Sequence, residues 1–226
     1  MSRKRNAVLS AILACAVFYV IFAVGAVFAP DGKWGSVILA LAEVCASFGG
    51  ICAMRCMKNR FVPAEDGAER EVLSDIEVHS NTEIGEKAVF YRVVSAIFAG
   101  TVCAVVLFCG NLLYSRYVYG SSAAPDLPFG ASLLILGLIV PLAEEVFFRG
   151  CVLTSLTDAG VSPTASVILS SAAFAAIHDV RVMPFAFFAG VCLAVTSRAC
   201  GKGSVIPSFT AHALYNTVLC VISCVT

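Results

Sequence analysis

The sequence predicts an all-α fold, a polytopic membrane helical bundle of about seven transmembrane helices. Two observations carry that expectation. Of 226 residues, 59% are hydrophobic and 13% are charged, against about 25% charged in an ordinary soluble domain. The apolar residues also fall in runs near the roughly 20 residues that a helix needs to cross the hydrocarbon core. This balance excludes a disordered chain, a basic nucleic-acid-binding domain and a soluble enzyme of this size. Formal net charge is zero, so only the distribution of charge is informative.

Arg3, Lys4 and Arg5 precede an apolar stretch, 6–29, that is followed by Pro30. The stretch exceeds the roughly 7–15 residues of a cleaved signal core, so it reads as a retained signal anchor and first span. Pro30, Asp31, Gly32 and Lys33 have the composition of a turn. A second span follows at 35–54 and carries Glu43. The segment 55–87 is hydrophilic, with eight carboxylates between Glu65 and Glu86, and suits a solvated connector. A third span covers 88–114, and 115–129 is a loop containing Gly120, Pro125 and Pro128. A long fourth helix, 130–156, ends at Asp158, Ala159 and Gly160. Ser162 before Pro163 is a helix start, with a capping hydroxyl ahead of proline at the first helical position. That fifth helix is expected to run to His178, the sixth to be short, 183–197, and the seventh to cover 204–225. The chain thus divides into a three-span N-terminal region, 1–114, and a C-terminal core, 130–226.

Basic residues near span ends set orientation. With the N-terminus cytoplasmic, that side holds Arg3, Lys4, Arg5, Arg55, Lys58, Arg60, Arg70, Lys87, Arg92, Arg198 and Lys202. The opposite side holds Lys33, Arg116 and Arg181. Eleven against three places the protein as a multi-pass cell-membrane protein with a cytoplasmic N-terminus. The eleven cysteines lack the spacing of a disulfide framework or a zinc site and read as small buried hydrophobes.

Ionisable groups inside membrane helices are costly and mark function by default. Glu144 and Glu145 lie side by side in an apolar helix. Glu145 and Arg149, four apart, share a face and are expected to pair. Glu144 points about 100° away, without that partner, and suits proton transfer near neutral pH. Phe174 and His178 form a second site, and His212 and Asn216, four apart on one face, a third. Alone, the Glu pair and the His212–Asn216 pair are as compatible with structural pairing or inter-helix hydrogen bonding as with chemistry. A lone His such as His178 at the end of an apolar helix is more often structural than catalytic. On residue counting, Glu144 and His178 sit at nearly equal heights, with about 10 Å of depth separating His178 from His212 at 1.5 Å per residue. Together these groups define a general base for water, Glu144 helped by His178. They also supply two donors, His212 and Asn216, for the oxyanion of a tetrahedral intermediate. No nucleophile elbow and no His-Glu-x-x-His helix is present. The reaction class is hydrolysis of an amide bond by activated water.

The run Glu-Glu-x-x-x-Arg, then Phe-x-x-x-His, then His-x-x-x-Asn, on successive apolar helices, resembles the CAAX protease and bacteriocin-processing (CPBP, or Abi) family. Phe148, Arg149 and Gly150, Ser170 and Ser171, and Gly190 match its surroundings. The resemblance covers roughly 130–220. It implies a glutamate-type intramembrane endopeptidase in which Glu144 and His178 activate water and His212 and Asn216 form the oxyanion hole. Glu145, Arg149 and Phe174 are then supporting residues. No cofactor is implied; a metal held by Glu144, His178 and His212 is the lesser alternative. The partners are the bilayer and a peptide or lipidated protein substrate, cut near the cytoplasmic leaflet; nothing points to nucleic acid. The competing reading is a catalytically silent membrane binding or immunity protein using the same polar cavity. A proton-coupled transporter using Glu43, Glu144 and Glu145 is a third, without the repeated halves such proteins show. For Glu43 the expected role is a hydrogen bond to a neighbouring helix.

Overall fold

The computed structural model describes residues 3–30, 32–61, 82–116, 127–201 and 203–225. The middle of the hydrophilic connector, 62–81, and most of the loop before Phe129, 117–126, lie outside them. Among the described residues there are seven helices and no strand. They are α1 (Arg3–Phe28), α2 (Lys33–Phe61), α3 (Thr82–Tyr114), α4 (Phe129–Asp158), α5 (Pro163–Ala175), α6 (Met183–Ala199) and α7 (Ile206–Val225). The first four are long and apolar enough to cross a membrane. Helices α5 and α6, of 13 and 17 residues, rise about 20 and 26 Å at 1.5 Å per residue, short of the roughly 30 Å core. Helix α7 has 20 residues but spends several on His212, Asn216 and hydroxyl side chains.

Large apolar side chains point outward along the long helices; Phe48, Phe98, Val105 and Leu113 are all more than half exposed. Such a belt suits lipid, and a backbone bonded within each helix is one of the two ways to satisfy it there. The chain is a multi-pass, all-α membrane bundle. Lipid tails are as apolar as these side chains, so close packing rather than water exclusion holds the helices together. Accordingly, small residues with almost no exposure (Ala11, Ala14, Ala40 and Ala46) lie on α1 and α2. Phe18 of α1 stacks on Phe147 of α4, with ring centroids 4.6 Å apart, and Phe148 meets both rings edge-on.

Helix α4 departs from a regular α-helix. Its stretches Ile135–Ile139 and Val146–Leu153 are wound as π-helix around the α-turn Val140–Glu145, a local form that often marks functional sites. Proline supplies the cause of one consequence. The Val140 N–H donates to Ile135 O, five residues back, and Pro141 has no N–H. Neither residue therefore serves the Leu136 carbonyl, which accepts from Asn216 Nδ2 at 2.9 Å instead. In the second π stretch, the carbonyls of Phe148 and Arg149 accept from Ser170 and Thr154 hydroxyls at 3.0 Å each. Helix α4 ends at Gly160, whose φ of 78° is open to glycine without strain. Gly160 N–H donates to Thr157 O and Val161 N–H to Leu156 O, the paired bonds of a Schellman cap. Ser162 accepts from Ala165 N–H and Pro163 opens α5, as the sequence predicts.

Helix α5 stops three residues before the expected end at His178. Past Ala175 the His178 N–H reaches back only to Ala175 O, while its ring Nδ1 lies 3.0 Å from Phe174 O. The imidazole thus satisfies a last-turn carbonyl that a further helical turn would have used.

Gly190 of α6 sits against α5. A Cβ there would lie 3.0 Å from Ser171 Cβ and 3.2 Å from Phe174 Cδ1. Gly190→Val is expected to cost about 1–3 kcal/mol, the usual range for overpacking, measured as a lower unfolding temperature in detergent. An unchanged temperature would refute the close approach.

Candidate functional site

The site is assembled from all seven helices, α3 through Leu107, around a cavity of about 310 Å³. Its walls include Glu144, Phe174, His178, His212 and Asn216, together with Glu43, Tyr215 and Phe22. All four residues expected to do chemistry therefore face one space.

The depth mismatch between His178 and His212 disappears for a reason that local sequence does not show. The segment after α6 climbs into the bundle before α7 begins. Gly203 lies beside Thr154, and Val205 beside Gly150. Gly150 is eight residues above the end of α4, about 12 Å at 1.5 Å per residue. From there His212 is six residues into α7 and Glu144 six residues along α4, so the two arrive level. His212 Nε2 lies 3.5 Å from Glu144 Oε2.

Glu145 and Arg149 pair as expected, 3.1 Å apart and almost wholly buried. A buried cation needs more than one partner. The Arg149 guanidinium also donates to Gly190 O at 3.3 Å and lies over the Phe174 ring, 4.5 Å from its centroid. Phe174 in turn touches Phe148, His178 and His212, with centroids 5.4, 4.8 and 5.8 Å away. It is the shared wall between the ion pair and both imidazoles.

Three positions differ from the sequence expectation. Glu144 is not left without a partner, because it faces His212 and hydrogen-bonds with Glu43. His212 is not a free donor: its Nδ1 lies 3.1 Å from Glu145 Oε1, so it sits between two carboxyls. Asn216 spends one N–H on Leu136 O and keeps the other. His178 Nδ1 must donate to Phe174 O, since a carbonyl only accepts. In a neutral ring this fixes Nε2 as the acceptor.

Glu43 was expected to bond a neighbouring helix, and that partner is Glu144 itself. A hydrogen bond between two carboxyls needs a proton on one of them. The signal available in the sequence was a lone carboxylate within an N-terminal span; nothing local tied it to residue 144. Tyr215 had no such signal. All eleven cysteines are free. Among the described residues no group of three or more His, Cys, Asp or Glu is arranged to hold a metal ion.

Residues 127–218 match one family, described as type II CAAX prenyl endopeptidase Rce1-like. The match contains α4 from its first turn, the whole of α5 and α6, and α7 past Asn216; Glu43 lies outside it. No curated protein and no solved structure matches the chain. Over 127–218, less than half of its length, the chain is similar to the Rce1-like family of CAAX prenyl endopeptidases.

Proposed function

We propose that the protein is an intramembrane endopeptidase that hydrolyses a peptide bond of a membrane-associated protein or peptide by activated water. The observation that carries this reading is the meeting of Glu144, His178, His212 and Asn216 in one cavity. Glu144 takes a proton from water while His178 Nε2 accepts the water's second hydrogen bond. The hydroxide adds to the substrate carbonyl, and the oxyanion receives N–H groups from the free half of the Asn216 amide and from Nε2 of a doubly protonated His212 held between the two carboxyls. The proton held on Glu144 then passes to the leaving nitrogen as the C–N bond breaks, giving a carboxylic acid and an amine. Glu145 accepts from His212 Nδ1 and orients that ring, and Arg149 holds Glu145. Glu43 steadies the Glu144 carboxyl through the shared hydrogen bond.

The test compares the membrane proteomes of cells carrying the wild-type chain and the Glu144→Gln variant, searching for new peptide termini that depend on Glu144. A terminus present in both, or none in either, overturns the peptidase reading; an intact peptide retained by both proteins supports the silent binding protein instead. On a peptide found in this way, Asn216→Ala is expected to lower kcat about 10²-fold, the lower end for loss of one oxyanion donor. KM should change little, because the contact belongs to the transition state.

A further inference from the structure

The cavity is displaced toward one end of the bundle. Helix α1 contributes Phe22, six residues from its end at Phe28, and α2 contributes Glu43, ten residues from its start at Lys33. Helix α3 contributes Leu107, seven residues from its end at Tyr114, α6 the stretch from Phe185 to Leu193, and α7 the stretch from His212 to Leu219. Toward the opposite end the space is closed. Phe147, Phe148 and Arg149 are at most 1% exposed, and the Phe18 ring stacks beneath them. Toward the near end the wall is low, because α5 rises only about 20 Å from Pro163 before the chain turns. His178 and Val182, on that turn, line the cavity. The Tyr114 hydroxyl donates to Arg181 O, pinning the turn to the end of α3.

That low wall belongs to the end of the bundle where α1 finishes, α2 starts, α3 finishes and α4 starts. Of the twelve described basic residues outside α4, this end has three, Lys33, Arg116 and Arg181, and the other end nine. Basic residues accumulate on the cytoplasmic side. We propose that the cavity opens to the non-cytoplasmic face, and that its substrate is a peptide segment presented there by an exported or membrane-anchored chain. A lipidated tail held at the cytoplasmic leaflet, the site expected from sequence, would meet the aromatic floor and not the mouth. The inference about substrate rests on the peptidase reading; the inference about side does not.

The experiment separates the two. In the full chain, with Cys56, Cys200 and Cys224 replaced by serine, single cysteines are introduced and probed with a membrane-impermeant maleimide. Val180→Cys lies on the turn at the mouth and is 73% exposed. Thr164→Cys lies at the start of α5, on the other end. In intact bacterial cells Val180→Cys is expected to be labelled and Thr164→Cys only after lysis. The reverse pattern overturns the orientation. Should Val180→Cys fail to accumulate, Arg181→Cys reports the same turn. His178→Cys then reads the cavity itself: labelling from outside supports the mouth, and protection while Val180→Cys reacts overturns it. None of these readouts involves cleavage, so absence of peptidase activity leaves the orientation result standing.

Discussion

Glu144→Gln is expected to lower the rate of peptide cleavage by about 10²–10⁴-fold, the usual contribution of a positioned general base, with the fold intact. Glutamine keeps the size of the side chain and an amide able to hydrogen-bond Glu43 and His212. What it removes is the capacity to take a proton from water and return it to the leaving nitrogen. The measurement is the initial rate on a peptide identified from the Glu144-dependent termini, alongside the unfolding temperature in detergent. A Glu144→Gln protein that cleaves at the native rate would sink the mechanism. One that is inactive and also unfolded would move the residue from chemistry to structure.

Arg149→Leu is expected to destabilise the protein by about 3–5 kcal/mol, the range for breaking a buried ion pair by removing one partner. The side chain is 1% exposed and holds α4, α5 and α6 together through Glu145, Phe174 and Gly190 O. Its loss leaves Glu145 in a desolvated site with only His212 to compensate it. The double variant Glu145→Gln, Arg149→Leu removes both charges and is expected to be more stable than Arg149→Leu alone. Thermal unfolding of the three proteins in one detergent checks this. Arg149→Leu matching the native unfolding temperature would show that the pair contributes nothing to the bundle.

The membrane bundle was legible because apolar runs of span length have few other uses. The four candidate residues stood out in the sequence for the converse reason. An ionisable or amide side chain within such a run is costly to keep, so Glu144, His178, His212 and Asn216 stand out against their neighbours. The Glu145–Arg149 pair followed from spacing alone, since residues four apart on a helix adjoin. The winding of α4 was less accessible. Pro141 signals a missing donor, but which carbonyl it frees depends on whether the preceding turn is α or π. The early end of α5 was hidden too, because an imidazole capping a carbonyl and an imidazole continuing a helix look alike in sequence.

What the sequence determined by itself is the all-α membrane class, the order of the polar motifs and the likeness of the segment 127–218 to a known family. Those depend on residue type and short spacing, which local physics reads directly. What only the tertiary structure decided is the level at which the motifs meet, the union of Glu43 with Glu144 and the end of the bundle toward which the cavity lies. Each turns on a contact between distant parts of the chain: Val205 against Gly150, α2 against α4, and a short α5–α6 hairpin beside a long α4. Such contacts arise from packing between helices, and no periodicity within one helix encodes them.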